Sequence, residues 1–150
     1  MLILQTILRT ALRSSTGREM SDSQSISELV IVDVKPYYIE ERVVDKAPLF
    51  VFGYQVTIRN NSQYPVQLLN RHWFITDSDG NQSEVKGEGV IGLQPVIEPM
   101  SEFQYSSGSN FRTPIGTMHG QYEMHCNDLI NPLFQVEISP FLLANNTIIH

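Results

Sequence analysis

The chain has 150 residues, a formal net charge of -6, and a composition that is 41% hydrophobic and 17% charged. This length fits one domain, alone or with a tail, and the acidic balance argues against nucleic acid as a direct ligand. The sequence has no run of about 18 apolar residues that could span a membrane. Its one cysteine, Cys126, can form neither an internal disulfide nor a multi-cysteine zinc cage. We therefore expect a globular, cytoplasmic protein that inserts in no membrane.

The first twenty residues are predicted to lie outside the domain. They carry three arginines and one glutamate, whereas the rest of the chain is acidic. Three interpretations stay open: a translation start assigned upstream of the true one at Met20, a mitochondrial type of targeting segment, and a helical appendage. We expect residues 1–20 to be an N-terminal extension, from a mis-assigned start or disordered, and residues 21–150 to form the domain.

Beyond this extension, residues 29–39 predict the first β-strand. They form an apolar run interrupted by Pro36, and proline is confined to edge strands and bulges because it cannot donate to a neighbouring strand. Residues 50–58 alternate large apolar side chains with smaller or polar ones, which predicts a half-buried strand. The turn-forming residues 60–62 then predict a hairpin into the next strand, residues 66–76.

The second half of the chain repeats this pattern. Residues 77–81 form a polar turn cluster, and after residues 82–86 and a glycine-bearing loop, strands are predicted at residues 93–97, 102–105, 118–126 and 133–138. Seven or eight antiparallel strands, with no helical periodicity after residue 21, predict an all-β fold: a β-sandwich with an immunoglobulin- or fibronectin-type-III-like layout. An uncovered edge strand in such a sandwich would allow a homodimer by sheet extension.

Trp73 is predicted to be a core residue on a strand face shared with Leu69 and Ile75. Arg71 falls on the same face and therefore needs a carboxylate partner or a position at the rim. The alternative is that Trp73, together with Arg71 and His72, forms a recognition surface, because tryptophan and arginine contribute much of the contact energy at interfaces.

Residues 87–92 (GEGVIG) match the dinucleotide-binding pattern G-x-G-x-x-G through Gly87, Gly89 and Gly92. In nucleotide-binding folds such glycines let backbone N–H groups approach a pyrophosphate at the start of a helix. Here no helical pattern follows, and the carboxylate of Glu88 would repel phosphate. A conformationally demanding loop between strands is the favoured interpretation, and phosphate binding is the alternative.

Asp77, Asp79, Asn81 and Glu88 occupy positions 1, 3, 5 and 12 of a calcium-loop spacing. Gln82 stands at position 6, where such loops need glycine, so a polar hairpin turn is favoured over a metal site. A divalent-ion sensor built on these four residues, or on a histidine with them, stays an alternative.

The histidines are weaker candidates for metal binding. His119 and His125 would lie on one strand face but too far apart to share an ion, and His72 could join either one only across strands. Nucleophilic catalysis has little support, because residues 106–109 lack the G-x-S-x-G elbow and Cys126 lies in a strand pattern. No enzymatic activity and no cofactor are predicted.

Six segments together resemble the ApaG family. They are residues 66–77 (VQLLNRHWFITD), 85–92 (VKGEGVIG), 94–95 (QP), 103–108 (FQYSSG), 113–124 (TPIGTMHGQYEM) and 134–142 (FQVEISPFL). The resemblance extends in order over residues 28–143. It implies a fibronectin-type-III-like β-sandwich that starts near Met20, and it carries the family's suggested pyrophosphate motif to Gly87, Gly89 and Gly92. Met100 departs from the family, which usually has glycine at this position.

The resemblance also implies a class of function. The family is similar to a module at the C-terminus of some eukaryotic F-box proteins and of a polymerase-delta-interacting protein, where it is thought to mediate protein contacts. Bacterial members are associated by name with cobalt and magnesium efflux or resistance. We expect a non-enzymatic binding or regulatory module for an unidentified protein partner, with an indirect link to divalent cations. Its surface would combine the loop of residues 87–92 with Arg71 and His72.

Overall fold

The computed structural model describes residues 26–145. The N-terminal extension predicted at residues 1–20 lies outside the described residues. A short helical turn at residues 26–29 precedes eight β-strands. These are β1 (Val30–Val44), β2 (Ala47–Asn60), β3 (Val66–Asp77), β4 (Gln82–Glu88), β5 (Val96–Ile97), β6 (Ser101–Phe111), β7 (Ile115–His125) and β8 (Leu133–Ala144). The prediction of an all-β chain with seven or eight strands is therefore confirmed.

The strands form two antiparallel sheets that pack face to face. One sheet has the order β1, β2, β6, and the other has the order β4, β3, β7, β8, with the short strand β5 also paired to β3. A division into three strands and four main strands is the expected fibronectin-type-III-like sandwich. Among residues 26–145, no helix has the length and apolar composition needed to cross a bilayer.

The connection between β2 and β3 differs from the prediction. Residues 60–62 were predicted to close a hairpin, but β2 and β3 belong to different sheets, so that prediction is wrong. Asn60 is fully buried; its amide nitrogen donates to the carbonyl oxygens of Tyr64 (2.7 Å) and Ile97 (3.0 Å), and its amide oxygen accepts from the backbone of Ser62 (2.9 Å). These hydrogen bonds satisfy a buried amide and hold the chain where it crosses between the sheets.

The core lies between the sheets and follows the predicted alternation along β2. Its five large inward side chains are all buried, namely Phe50, Phe52, Tyr54, Val56 and Ile58. In β3 the alternation is interrupted by a bulge, because Leu68 lies opposite Met124 whereas Asn70 lies opposite Glu123. Leu69 is the extra residue, so the inward face is Leu68 before it and Trp73 after it. Trp73 is buried as predicted, but the prediction that Leu69 shares its face is wrong.

The two sides of the sandwich are closed to different extents. β1 is an edge strand with a bulge between Tyr38 and Glu40, as the proline at position 36 predicted. It packs against β8, which closes the sandwich on that side. On the opposite side, β6 and β4 are the edge strands of their sheets, and a cleft opens between them.

Candidate functional site: the cleft between β4 and β6

The cleft has a volume of about 470 Å³. One wall is the inward face of β6, and the other is β4 with the loop that follows it; Tyr54, Trp73 and Met118 contribute from between the sheets. Tyr54 and Trp73 are packed edge to face with ring centroids 5.5 Å apart. The volume lies within the range of small-ligand pockets, about 300 to 1,000 Å³, and the cleft is the candidate functional site.

Arg71 is the charged group that the fold directs into this cleft. The bulge at Leu69 turns Arg71 inward, opposite Tyr122 of β7, and the side chain is half-buried. Its Nη1 donates to the backbone oxygens of Glu88 (3.0 Å) and Gly89 (2.9 Å). Within residues 26–145 Arg71 forms no ion pair, and neither Nε nor Nη2 takes part in a hydrogen bond. Of the two predicted environments for Arg71, the structure shows the rim of a cleft, and the part of the chain that it describes supplies no carboxylate partner.

The glycines of the G-x-G-x-x-G pattern are explained by this arrangement. At Gly87 a Cβ atom would lie 2.7 Å from Cζ of Arg71, so the guanidinium occupies the space that a side chain at this position would need. Gly89 has φ +65°, and a Cβ there would lie 2.2 Å from the backbone oxygen of Leu93. Gly92 has φ +79°. The prediction of a conformationally demanding loop is confirmed. Gly89 and Gly92 adopt positive φ, and Gly87 leaves room for the guanidinium of Arg71.

The backbone N–H groups of this loop are largely used within it. Those of Gly89, Val90 and Leu93 donate to the backbone oxygens of Leu69 (2.7 Å), Leu93 (2.8 Å) and Val90 (2.9 Å), respectively. The loop leads into β5, and no helix begins there. The geometry thus lacks the N-terminal helical turn of a pyrophosphate cradle, and the N–H groups of Gly89, Val90 and Leu93 are not free for an anion.

The tip of the loop carries a strained and exposed side chain. Val90 and Leu93 bracket a tight turn whose two central residues, Ile91 and Gly92, both have positive φ, which is the combination found in a type I′ turn. Ile91 has φ +45° and is 58% exposed. Positive φ is rare for a β-branched residue, and strained residues concentrate at functional sites.

Two tyrosines, Tyr54 and Tyr105, line the cleft, and a third, the fully buried Tyr122, contacts Tyr105. The hydroxyl groups of Tyr105 and Tyr122 are hydrogen-bonded to each other at 2.5 Å. Burial raises the pKa of Tyr105, Tyr122 and Tyr54 above the ordinary value of 10.0, and the positive charge of Arg71 partly opposes each of these shifts. The tyrosines are therefore neutral at physiological pH and can offer hydroxyl groups beside the guanidinium.

Sequence reasoning did not assign these tyrosines to the site. The alternation of residues 118–126 had placed Tyr122 on one strand face, but the meeting of Tyr105 with Arg71 depends on how two sheets pack. Ser107 was considered only as a nucleophile. It lies opposite Tyr54 in the β2–β6 pairing and lines the cleft.

His72, which was predicted to share a surface with Arg71, lies on the other face of β3. Adjacent residues of a strand point to opposite faces, so Arg71 enters the cleft and His72 does not. Nε2 of His72 is 2.8 Å from Oε1 of Glu84, and its ring lies 4.3 Å from that of Phe74. Phe74 in turn stacks on His119 at 5.1 Å. The structure therefore does not bring His72 to the glycine loop.

Of the four weak metal candidates, Asp77, Asp79 and Asn81 lie together in one hairpin, and Glu88 is separated from them. Asp77 closes the β3–β4 hairpin: its carboxylate accepts hydrogen bonds from the backbone of Asp79 (2.9 Å) and from the backbone (2.9 Å) and side chain (3.0 Å) of Asn81. The hydrogen bond from the Asn81 side chain is the main cause that lowers the pKa of Asp77. Glu88 lies at the other end of β4, opposite Asn70. Within residues 26–145 no group of three or more histidine, cysteine, aspartate or glutamate side chains is placed to hold a metal ion.

Cys126 is a buried residue that directly follows β7. Burial raises the pKa of its thiol. A thiol in this environment is poorly ionised, so it is not an activated nucleophile.

Comparisons with known proteins agree with the fold. A family model described as the ApaG domain matches residues 40–126. The chain is 48% identical over 121 residues to Protein ApaG of Pectobacterium carotovorum subsp. carotovorum, covering 81% of this chain and 95% of that protein. It is 49% identical over 124 residues to Protein ApaG of Enterobacter sp., covering 83% and 98%.

Two solved structures are similar to the whole described fold. An X-ray structure of a Northeast Structural Genomics Consortium target has a TM-score of 0.79 at 38% sequence identity, covering 83% of this chain and 93% of that one. The crystal structure of an ApaA protein from Bordetella pertussis has a TM-score of 0.71 at 41% identity, covering 77% and 93%.

Proposed function

We propose that this chain, which belongs to the ApaG domain family, is a non-catalytic module that binds a protein partner in the cleft between β4 and β6. The observation that carries the proposal is Arg71. Its guanidinium faces the cleft with no ion pair among residues 26–145, and two of its nitrogen atoms have no hydrogen-bond partner in that range.

The other arginines of the described range differ from Arg71. Arg42 and Arg59 form exposed ion pairs with Glu40 and Glu102, and exposed pairs of this kind are worth little. Arg112 also lacks a carboxylate, but it is exposed and donates to three backbone oxygens, Val44, Ala47 and Pro48, which ties it to the β1–β2 hairpin. Arg71 alone among these four lines the cleft.

The composition of the cleft also favours a protein ligand. Arginine, tyrosine and tryptophan dominate the energetics of protein interfaces when they lie in partly desolvated pockets, and Arg71, Tyr54, Tyr105 and Trp73 all line this cleft. The proposal places the chain in the cytoplasm. Its link to cobalt and magnesium, which the family's association suggests, would be indirect and would pass through the partner.

Affinity capture with a matched pair of variants tests this proposal. The full chain, its Arg71→Gln variant and its Arg59→Gln variant are immobilised, and proteins retained from a lysate are quantified by mass spectrometry. We expect a protein that the full chain and Arg59→Gln retain but Arg71→Gln loses. That protein is then purified, and its affinity for the three chains is measured by calorimetry. Equal binding to all three chains would refute the assignment of the cleft.

A further inference from the structure

We infer that the cleft recognises the free C-terminal carboxylate of an extended peptide segment, with the carboxylate on Arg71 and the last side chain against the apolar part of the cleft. This inference rests on the proposed function, because it names the ligand of the same site. Four properties of the cleft lead to it: its charge, its donors, its apolar lining and its open strand edge.

The charge of the cleft suits a single negative charge. Among the described residues that line it, Arg71 is the one cationic side chain, and Glu88 also lines it without forming an ion pair with Arg71. The guanidinium can therefore pair with one ligand carboxylate, which leaves a single excess negative charge in the cleft, whereas a phosphate or pyrophosphate would leave more. Three N–H groups of the glycine loop already donate to backbone oxygens, which also disfavours a phosphate ligand.

The free donors of Arg71 have the geometry of a carboxylate site. Because both contacts to backbone oxygens are made by Nη1, the edge formed by Nε and Nη2 stays available. Two parallel N–H groups on one edge of a guanidinium match the two oxygens of a carboxylate. The hydroxyl groups of Ser107 and Tyr54 lie in the same cleft and are hydrogen-bond partners, so one of their two protons is left to donate to the same anion.

The apolar lining distinguishes a C-terminal residue from an internal acidic one. Trp73, Val85, Val90 and Met118 line the cleft beside Arg71. Ile91 adds an apolar side chain that is 58% exposed at φ +45°, where an asparagine or glycine would be less strained. A terminal residue brings a carboxylate and an apolar side chain to one place, whereas an internal aspartate or glutamate brings the charge without the side chain and continues the chain on both sides.

The open edge of β6 offers a backbone partner. Within residues 26–145, β6 pairs with β2 alone, so its other edge, which borders the cleft, is free. Ser107, Gly108 and Ser109, which line the cleft, make this part of the edge small and polar. An extended peptide can add itself to such an edge through main-chain hydrogen bonds, while pockets read its side chains.

A peptide array tests the inference. The probes are acetylated hexapeptides with free C-termini that cover every combination of the last two residues, each paired with its C-terminal amide. The full chain is expected to select free acids with an apolar last residue, and amidation is expected to weaken binding about tenfold or more, the effect of losing charge-assisted hydrogen bonds. Equal binding of acids and amides, or no selection anywhere on the array, would overturn the inference.

Two variants of β6 keep the test independent of folding. Ser107→Glu places a carboxylate on the inward face, where it competes for Arg71, while Ser106→Glu places the same charge on the outward face of the adjacent position. Dissociation constants for a selected peptide are measured by fluorescence polarisation. We expect Ser107→Glu and Arg71→Gln to weaken binding about tenfold or more and Ser106→Glu to leave it unchanged. Unchanged binding to Ser107→Glu would contradict the inference.

The inference can fail while the proposed function stands. If a captured protein depends on Arg71 but the array shows no preference for free acids, the protein-binding proposal stands and the C-terminal carboxylate is excluded. If every captured protein binds Arg71→Gln as tightly as the full chain and the array shows no preference for free acids, the proposal and the inference fail together.

Discussion

The two loops at the ends of β4 differ in how the polar groups that they hold are paired. At one end, the carboxylate of Asp77 accepts three hydrogen bonds from the Asp79 and Asn81 groups of the same hairpin. At the other end, the glycine loop accepts hydrogen bonds from one nitrogen of Arg71, and the other two nitrogens have no hydrogen-bond partner within residues 26–145. The hairpin satisfies its own polar groups, whereas the glycine loop binds only one nitrogen of the charged group to which we assign the ligand.

The difference shows that composition alone is a poor guide to a binding site. The hairpin is rich in the oxygen ligands that a metal prefers, but those oxygens stabilise the turn itself. The glycine loop matches a nucleotide-binding pattern, but Gly87 makes room for a guanidinium and Gly89 approaches a neighbouring backbone oxygen. A count of which donors and acceptors are already used separates the two loops.

The largest expected effect comes from comparing glycines in the two loops. A Cβ added at Gly80 of the hairpin (φ +86°) would meet open space, whereas one added at Gly89 (φ +65°) would lie 2.2 Å from the Leu93 oxygen. Gly80→Ala is expected to cost about 1 kcal/mol for the backbone conformation. Gly89→Ala is expected to cost about 3 kcal/mol because a steric clash with backbone is added. Urea unfolding of both variants measures this, and equal losses would show that the close approach at Gly89 is not rigid.

The tyrosine pair is expected to contribute the next largest effect. Tyr122→Phe leaves the buried hydroxyl of Tyr105 without its partner, so we expect a loss of about 1–3 kcal/mol in the free energy of unfolding. Replacing both tyrosines by phenylalanine removes both polar groups and should cost less than the sum of the two single variants. A double-mutant cycle in urea measures the coupling, and simple additivity would show that the two hydroxyl groups act independently.

Much of this architecture could be predicted from local patterns. The alternation of residues 50–58 correctly assigned the inward face of β2, because a period of two acts within one strand. The bulge at Leu69 and the crossing after Asn60 could not be read in this way. One extra residue reverses a strand's faces, and the choice of sheet depends on contacts with residues far along the chain, such as Ile97.

Only part of the candidate site could be predicted, because some of its contacts depend on residues that are far apart in the sequence. Arg71 and the three glycines were singled out from the sequence, and the structure joins them through the contact of Gly87 with the guanidinium. His72 was included because it is adjacent in sequence, but adjacency on a strand means opposite faces. The sequence did not predict Tyr105 at the site, because Tyr105 and Arg71 belong to different sheets and are near each other only through the packing of those sheets. Met100 stands at a position where the family usually has glycine, and it has φ +59°. The family's glycine therefore marked a position whose backbone conformation favours glycine.

The response to pH is expected to differ between the two ends of β4. Tyr105 and Tyr122 have a raised pKa in the folded chain, mainly because of burial. Folding stability from them is fully present below the ordinary pKa of 10.0 and declines as the pH rises above it, because the unfolded chain then loses protons that the folded chain keeps. Asp77 has a lowered pKa, so its contribution is present above its ordinary value of 3.8 and is lost in acid.

Urea unfolding between neutral and strongly alkaline pH measures the tyrosine contribution. We expect the free energy of unfolding to fall above pH 10, and to fall less steeply in the variant with phenylalanine at both positions. An unchanged slope in that variant would assign the alkaline loss to groups outside the cleft.

The smallest expected effect separates stability from binding at the tip of the glycine loop. Ile91→Asn puts a residue preferred in type I′ turns at a position with φ +45°, so we expect a gain of about 0.5–1 kcal/mol in the free energy of unfolding. Ile130→Asn is the matched control: Ile130 is also exposed, at 67%, but has no positive φ, so its stability should change by less than about 0.5 kcal/mol. If Ile91 is retained for ligand contact, Ile91→Asn will unfold at higher urea concentration and bind the selected peptides more weakly. A variant that gains stability and binds equally well would show that the strain at Ile91 has no part in recognition.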